Sequence, residues 1–124
     1  MADGIEKVLR QRPLTPPDVR EMEAQLRVRR DALLKVLRVL EQIGAVTRVA
    51  PDLYFSRGSL TNLTQTMRDA FTAKDVITPA SFRDRFGITR KYAIPLLEYL
   101  DREGVTIRTG DARRLQAPRA ARRS

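Results

Sequence analysis

The chain has 124 residues, with 24 Lys plus Arg against 15 Asp plus Glu, a formal net charge of +9, and neither cysteine nor histidine. That length allows one domain or two very small ones. The missing residue types exclude a disulfide framework, a thiolate metal site, and the commonest metal ligand and general base. No apolar run approaches the roughly 20 residues of a membrane span. The N-terminus lacks a signal-peptide apolar core, so a soluble, reducing compartment is expected, most simply the cytoplasm. Only Lys7, Lys35, Lys74 and Lys91 are lysines. Arginine forks bind phosphate and stack on bases better than lysine does. A GC-rich genome also favours Arg over Lys, but it does not explain the positive sign. Charge this strong points to nucleic acid or an acidic membrane surface.

In chain order, Ile5, Val8 and Leu9 mark a short helix that Arg12-Pro13 ends, because the residue before proline avoids the helical region. Thr15 is expected to cap the next helix, with Pro16 at its first position, Asp18 at its third, and Val19, Met22 and Leu26 on its core side. A third helix has Asp31 near its start, an apolar face of Leu34, Leu37, Val39, Leu40 and Ile43, and Gly44 as its stop. Ala45–Ala50 and Asp52–Ser56 read as a hairpin around Pro51-Asp52. The order then repeats. Leu60–Ala73 is predicted as a helix using Leu63, Met67, Ala70 and Phe71, and residues 76–77 as a short extended link. Thr78 caps a helix with Pro79 first and Phe82 and Phe86 inward, and Gly87 ends it. Thr89 caps the last helix, which buries Ala93, Ile94, Leu96, Leu97 and Leu100 and contains Pro95. Val105–Thr109 and Arg113–Gln116 form the closing hairpin, and the tail 117–124 is expected to be disordered.

Sliding the chain by sixty residues places Leu37 on Leu97, Leu40 on Leu100, Gly44 on Gly104, Arg48 on Arg108 and Phe55 on Leu115. Three helices followed by a two-stranded hairpin, twice, predict an α+β, mainly α fold. It consists of two tandem winged-helix modules, each a helix-turn-helix plus a β-hairpin wing. The expected limits are 1–58 for the first module, 59–116 for the second and 117–124 for the tail, with a hinge at 57–61. Residues 1–58 carry 11 basic and 8 acidic side chains, net +3, and residues 59–124 carry 13 and 7, net +6. The second module is therefore the expected main nucleic-acid contact.

No phosphate loop of the Gly-x-x-x-x-Gly-Lys type, no Gly-x-Ser-x-Gly and no Cys/His pair is present. Glu98 and Asp101, three apart on a helix, read as an ion-paired or solvated face beside Arg102 and Arg108. No catalytic residue, metal site or cofactor is expected, and the chain does not read as an enzyme. A helix-turn-helix presents the N-terminal end of its third helix to nucleic acid. Thr89, Arg90 and Lys91 stand there. Cations at that end oppose the helix dipole, a cost that makes sense if an anion sits there, and first-turn amides could meet a phosphate. The wing adds Arg108, Gly110, Arg113 and Arg114, with Asp111 as a turn former, and Arg83 and Arg85 flank the second helix. Tyr92 reads as packing, since Ala93 and Leu96 share its side. From residues alone, an RNA-hairpin binder, a DNA-binding regulator and a protein-interaction module stay open. The lack of a long dimerisation helix weakens the DNA reading.

The run Phe82-Arg83-Asp84-Arg85-Phe86-Gly87, then Arg90-Lys91-Tyr92-Ala93-Ile94-Pro95-Leu96-Leu97-Glu98-Tyr99-Leu100-Asp101, then Gly104-Val105-Thr106-Ile107-Arg108 and Gly110-Asp111-x-Arg113-x-Leu115, resembles the C-terminal end of the bacterial SelB family. These are the selenocysteine-specific translation elongation factors, which end in a row of winged-helix modules; this chain covers the length of the final two. The resemblance implies that the partner is an mRNA stem-loop, the selenocysteine insertion element beside an in-frame UGA codon. Arg90, Lys91, Arg108, Arg113 and Arg114 would then contact RNA phosphates and loop nucleotides. It further implies a monomer that meets the ribosome only through the full-length factor, touches no membrane, and lacks the family's GTPase and selenocysteyl-tRNA-binding parts. An RNA duplex has a major groove too deep and narrow for side chains, so recognition would rest on exposed loop bases and backbone shape.

Overall fold

The structure is a computed structural model that describes residues 1–118; of the predicted tail, residues 119–124 lie outside the described residues. The elements run α1 (Ala2–Gln11), α2 (Val19–Leu26), α3 (Arg30–Gln42), β1 (Val46–Ala50), β2 (Leu53–Ser56), α4 (Arg57–Ala70), α5 (Pro79–Phe86), α6 (Arg90–Arg102), β3 (Thr106–Thr109) and β4 (Ala112–Leu115). The chain divides into two compact units, Met1–Thr61 and the residues from Asn62 onward. The expected hinge at 57–61 is instead the first stretch of α4. Ser56 starts that helix early: its Oγ accepts from the Ser59 N–H at 3.1 Å, and the Arg57 N–H donates to the Ala45 carbonyl at 3.1 Å.

In the first unit, α1 buries Ile5, Val8 and Leu9 at helical spacing. α2 begins at Val19, later than the Thr15 cap predicted. Asp18 is the cap: its carboxylate accepts from the Glu21 N–H at 2.8 Å, and the Glu21 carboxylate accepts from the Asp18 N–H at 2.9 Å. This reciprocal capping box satisfies two donors at once. Pro16 cannot open the helix because Pro17 follows it and drives residue 16 out of the helical region. α3 buries Leu33, Leu37 and Leu40, an i, i+4, i+7 stripe. Val39 and Ile43, expected inside, are 53% and 70% exposed because they lie off that stripe. β1 and β2 pair antiparallel, with a register shift between Arg48 and Ala50.

In the second unit, α4 buries Leu63 and Met67 and ends at Ala70, short of the predicted Ala73. Ile77 in the link exchanges both backbone hydrogen bonds with Arg113, at 2.8 Å each. α5 starts with Thr78 and Ser81 in a capping box and Pro79 at the first turn. α6 buries Tyr92, Ala93, Leu96, Leu97 and Leu100 and runs through Pro95 without a break. Each of its fully buried leucines contributes about 1.5–3 kcal/mol. β3 and β4 pair Thr106 with Leu115, Ile107 with Arg114, Arg108 with Arg113, and Thr109 with Ala112.

The two helix-turn-helix turns differ in one telling place. α5 ends on Gly87 at φ +63°, in the left-handed region, whereas α2 ends on Arg27 at φ 54°, the one non-glycine with positive φ among the described residues. A side chain with a Cβ is strained there. Arg27→Gly should raise stability by about 0.5–1 kcal/mol after the entropy cost of glycine is subtracted. Urea unfolding measures it, and an unchanged or lower midpoint would refute the strain.

Candidate nucleic-acid interface

α6 enters from Thr89, which has an extended backbone but no side-chain cap bond. Thr78, at the start of α5, does cap its helix, so the two helix starts of the second unit differ in this bond. Arg90 and Lys91 follow, both exposed. Among the described residues the Arg90 side chain has no hydrogen-bond or ion-pair partner. The Lys91 ammonium stands 5.3 Å from the centroid of the Tyr92 ring, and Tyr92 itself is buried, as packing requires.

The wing turns at Gly110-Asp111. Gly110 takes φ +63° with open space around a would-be Cβ, so conformation rather than crowding calls for glycine. Arg108 is tied back to this turn. Its Nε donates to the Gly110 carbonyl at 2.6 Å, and its Nη2 lies 3.5 Å from the Asp111 carboxylate. Half of its side chain stays exposed.

A cleft of about 210 Å³ lies between the helix start and the wing. Arg90, Ile94 and Glu98, four residues apart on one face of α6, form one wall, Arg108 and Asp111 of the wing form the other, and Pro79 and Arg113 complete the lining. The structure therefore brings Arg90 and Arg108 to one place. Thr89 and Lys91 sit at the same helix end beside the cleft, while Arg83 and Arg85 lie on α5 and do not line it. The Arg85 guanidinium lies 5.7 Å from the centroid of the Phe86 ring.

Arg113 corrects the sequence reading. Its side chain is only 2% exposed, and both Nε and Nη2 donate to Asp101 Oδ2, at 3.3 and 3.2 Å. Nη1 donates to the Asp111 carbonyl at 2.9 Å. A guanidinium so enclosed is not a free phosphate ligand. Arg114 is also displaced from the cleft. Successive strand residues point to opposite faces, so Arg114 turns away from Arg113. It donates to the Lys74 carbonyl at 3.1 Å and borders a separate hollow with Val76, Thr109 and Ala112. Sequence reasoning missed Pro79, Ile94, Glu98 and Asp101. The spacing of Arg90, Ile94 and Glu98 was the available signal; nothing local marks Asp101 as the acceptor for the wing. Among the described residues no cluster of acidic side chains is placed to hold a metal ion, and no helix is long and apolar enough to cross a membrane.

Three helices closed by a two-stranded wing, once in each unit, define a winged-helix chain. Residues 69–115 match the family model described as elongation factor SelB, winged helix. The selenocysteine-specific elongation factor of Desulfomicrobium baculatum is 30% identical over 112 residues, covering 90% of this chain and 18% of that protein. Its counterpart in Escherichia coli strain K12 is 33% identical over 93 residues, covering 75% of this chain and 15% of that protein. Among solved structures, the mRNA-binding domain of E. coli SelB in complex with SECIS RNA matches with a TM-score of 0.73 and 29% identity, over 94% of this chain and 97% of that one. A bacterial selenocysteine-specific elongation factor shares the fold, with a TM-score of 0.74 at 23% identity. The chain is a winged-helix region of the SelB family, and it spans less than a fifth of the length of the two curated relatives.

Removing Arg113 leaves Asp101 facing the wing without its counter-charge. Breaking a buried pair costs about 3–5 kcal/mol, and Asp101 keeps a fifth of its side chain in water, which places Arg113→Ala near the lower end. Chemical denaturation should show the loss; a variant as stable as the unaltered chain would mean that the pair is not formed in solution.

Proposed function

We propose that this chain binds an mRNA stem-loop, the selenocysteine insertion hairpin, and through its second unit tethers a selenocysteine-specific elongation factor to a UGA codon that is to be recoded. The observation that carries the reading is the convergence of Arg90, from the start of α6, and Arg108, from the wing, on one cleft. Likeness to nearly the whole of an mRNA-binding domain solved with SECIS RNA supports it. Arg90 and Lys91 meet phosphates at a helix end whose amides favour anions. Arg108 approaches from the wing, with Gly110 allowing close passage of the backbone. Thr89 adds a hydroxyl, and Arg83 and Arg85 steer the stem. Arg114 contributes at most to the field, and Arg113 acts inside the protein. The chain acts as a monomer in the cytoplasm, uses no cofactor, and reaches the ribosome through the rest of the factor, where the GTPase resides.

Selection of hairpins from a random-loop RNA pool, followed by fluorescence anisotropy at fixed salt, tests the reading. The selected hairpin should bind far better than its stem duplex or a DNA copy. A log–log salt slope of about −2 to −3.6 is expected from three or four contacts at roughly 0.7–0.9 each. Equal affinity for all three nucleic acids, or no selected hairpin, would reject the reading in favour of a DNA-binding or protein-binding module.

Arg90→Ala should weaken hairpin binding by about 1–3 kcal/mol, the range for a charged hydrogen bond, without lowering the melting temperature. Unaltered affinity in this folded variant would remove Arg90 from the interface.

A further inference from the structure

The buried polar cluster behind the cleft is more than the fold requires. Asp101, near the end of α6, accepts from both wing strands: Thr106 Oγ1 on β3 donates to Oδ1 at 2.6 Å, and Arg113 on β4 donates to Oδ2 through Nε and Nη2. Arg113 also holds the wing turn through the Asp111 carbonyl, and its backbone pairs with Ile77, just before α5. One residue thus joins the wing, its tip, α6 and the lead-in to α5.

The first unit supplies an internal control. Asp101 and Thr106 correspond to Glu41 and Val46, sixty residues earlier; Arg113, the cross-strand partner of Arg108, corresponds to Tyr54, the cross-strand partner of Arg48, because the first hairpin carries one extra residue. Val46 and Tyr54 are 2% and 6% exposed within the apolar core, and Glu41 is exposed to solvent. The same three helices and hairpin therefore close over an apolar contact. Replacing a buried ion pair with apolar groups is commonly neutral or stabilising, so stability alone does not explain the polar version. Its distinguishing property is direction: a forked guanidinium accepted by a carboxylate fixes distance and angle, where an apolar contact slides. What it orients is adjacent. Arg108 is the cross-strand partner of Arg113, and Arg113 borders the cleft that Arg90 and Arg108 share.

We propose that Asp101, Thr106 and Arg113 form a positioning device that locks the wing at one angle to α6 and so holds Arg108 opposite Arg90 for RNA. The inference rests on the RNA-binding reading above. These three residues touch no ligand; they act through Arg108.

The test transplants the first unit's trio into the second, as D101E/T106V/R113Y, in the full chain. Anisotropy uses a fluorescein-labelled RNA stem-loop carrying the selected loop. The triple variant should melt cooperatively near the unaltered chain yet bind roughly tenfold more weakly. In its background, Arg108→Ala should cost clearly less affinity than in the unaltered chain, because a wing at the wrong angle no longer presents that arginine. A merely structural role would leave the two effects independent. A folded triple variant with unaltered affinity, or with fully additive Arg108→Ala, overturns the proposal. Should the triple variant not fold, Thr106→Val decides. It keeps the ion pair and removes one bond, so a measurable loss of affinity with partial coupling to Arg108→Ala is expected, and unaltered binding overturns the proposal. Failure of the unaltered chain to bind any stem-loop rejects the RNA reading itself and this inference with it.

Discussion

Asp101 governs the cleft side of the second unit. Leu97 and Leu100, both fully buried, fix the turn of α6 that carries it, so its two oxygens have a set place in the unit. Thr106 and Arg113 come to those oxygens from neighbouring strands. Arg108 and Arg113 stand directly opposite each other across the hairpin, and like charges in that relation repel. Asp101 neutralises one of them and Asp111 lies within ion-pair range of the other. The hairpin can therefore carry two facing arginines at the mouth of a cleft and remain a hairpin. No buried side-chain nitrogen or oxygen is left without a partner among the described residues.

Much of this was legible in the chain itself, because much of it is local. The order of elements followed from helical spacing, from glycine stops and from the repeat at sixty residues. Thr78 and Pro79 announced α5, and Tyr92 announced its own burial. The start of α2 was misread although the signal was present twice. Pro16-Pro17 forbids a helix at residue 16, and Asp18-x-x-Glu21 stands sixty residues before the Thr78-x-x-Ser81 box. The face of α3 was ambiguous for a different reason. Leu33, Leu34, Val36, Leu37, Val39, Leu40 and Ile43 wrap most of the helix, and only packing selects the stripe through Leu33. The pair Arg113-Arg114 could not both face one ligand, since strand neighbours point opposite ways. Which of them turns inward depends on Asp101, twelve residues away across a turn and a strand, and no local pattern encodes that contact.

The two units share one architecture but place their charge differently at the same structural point. In the first unit, Asp31 occupies the position that Lys91 has in the second, Arg29 lies 3.8 Å from Asp31, and Arg30 lies 3.4 Å from Glu23. That helix start is neutralised from within, and an acidic residue there suits the dipole. In the second unit, Arg90 has no such partner among the described residues, and the helix opens on two cations. The unfavourable dipole term is about 0.3–1 kcal/mol per exposed cation, while each of Leu96, Leu97 and Leu100 contributes about 1.5–3 kcal/mol by burial. The helix therefore forms in spite of its N-terminal charges. Core packing sets the fold of the second unit, which leaves its helix start free to carry charges that folding does not need. The same separation extends to the wing: Arg113 is spent inside the unit, and Arg108 is left half-exposed at the cleft. On the proposed reading, an anionic ligand would meet Arg90 and Arg108 on a frame whose geometry is fixed before it arrives, which lowers the ordering cost of binding.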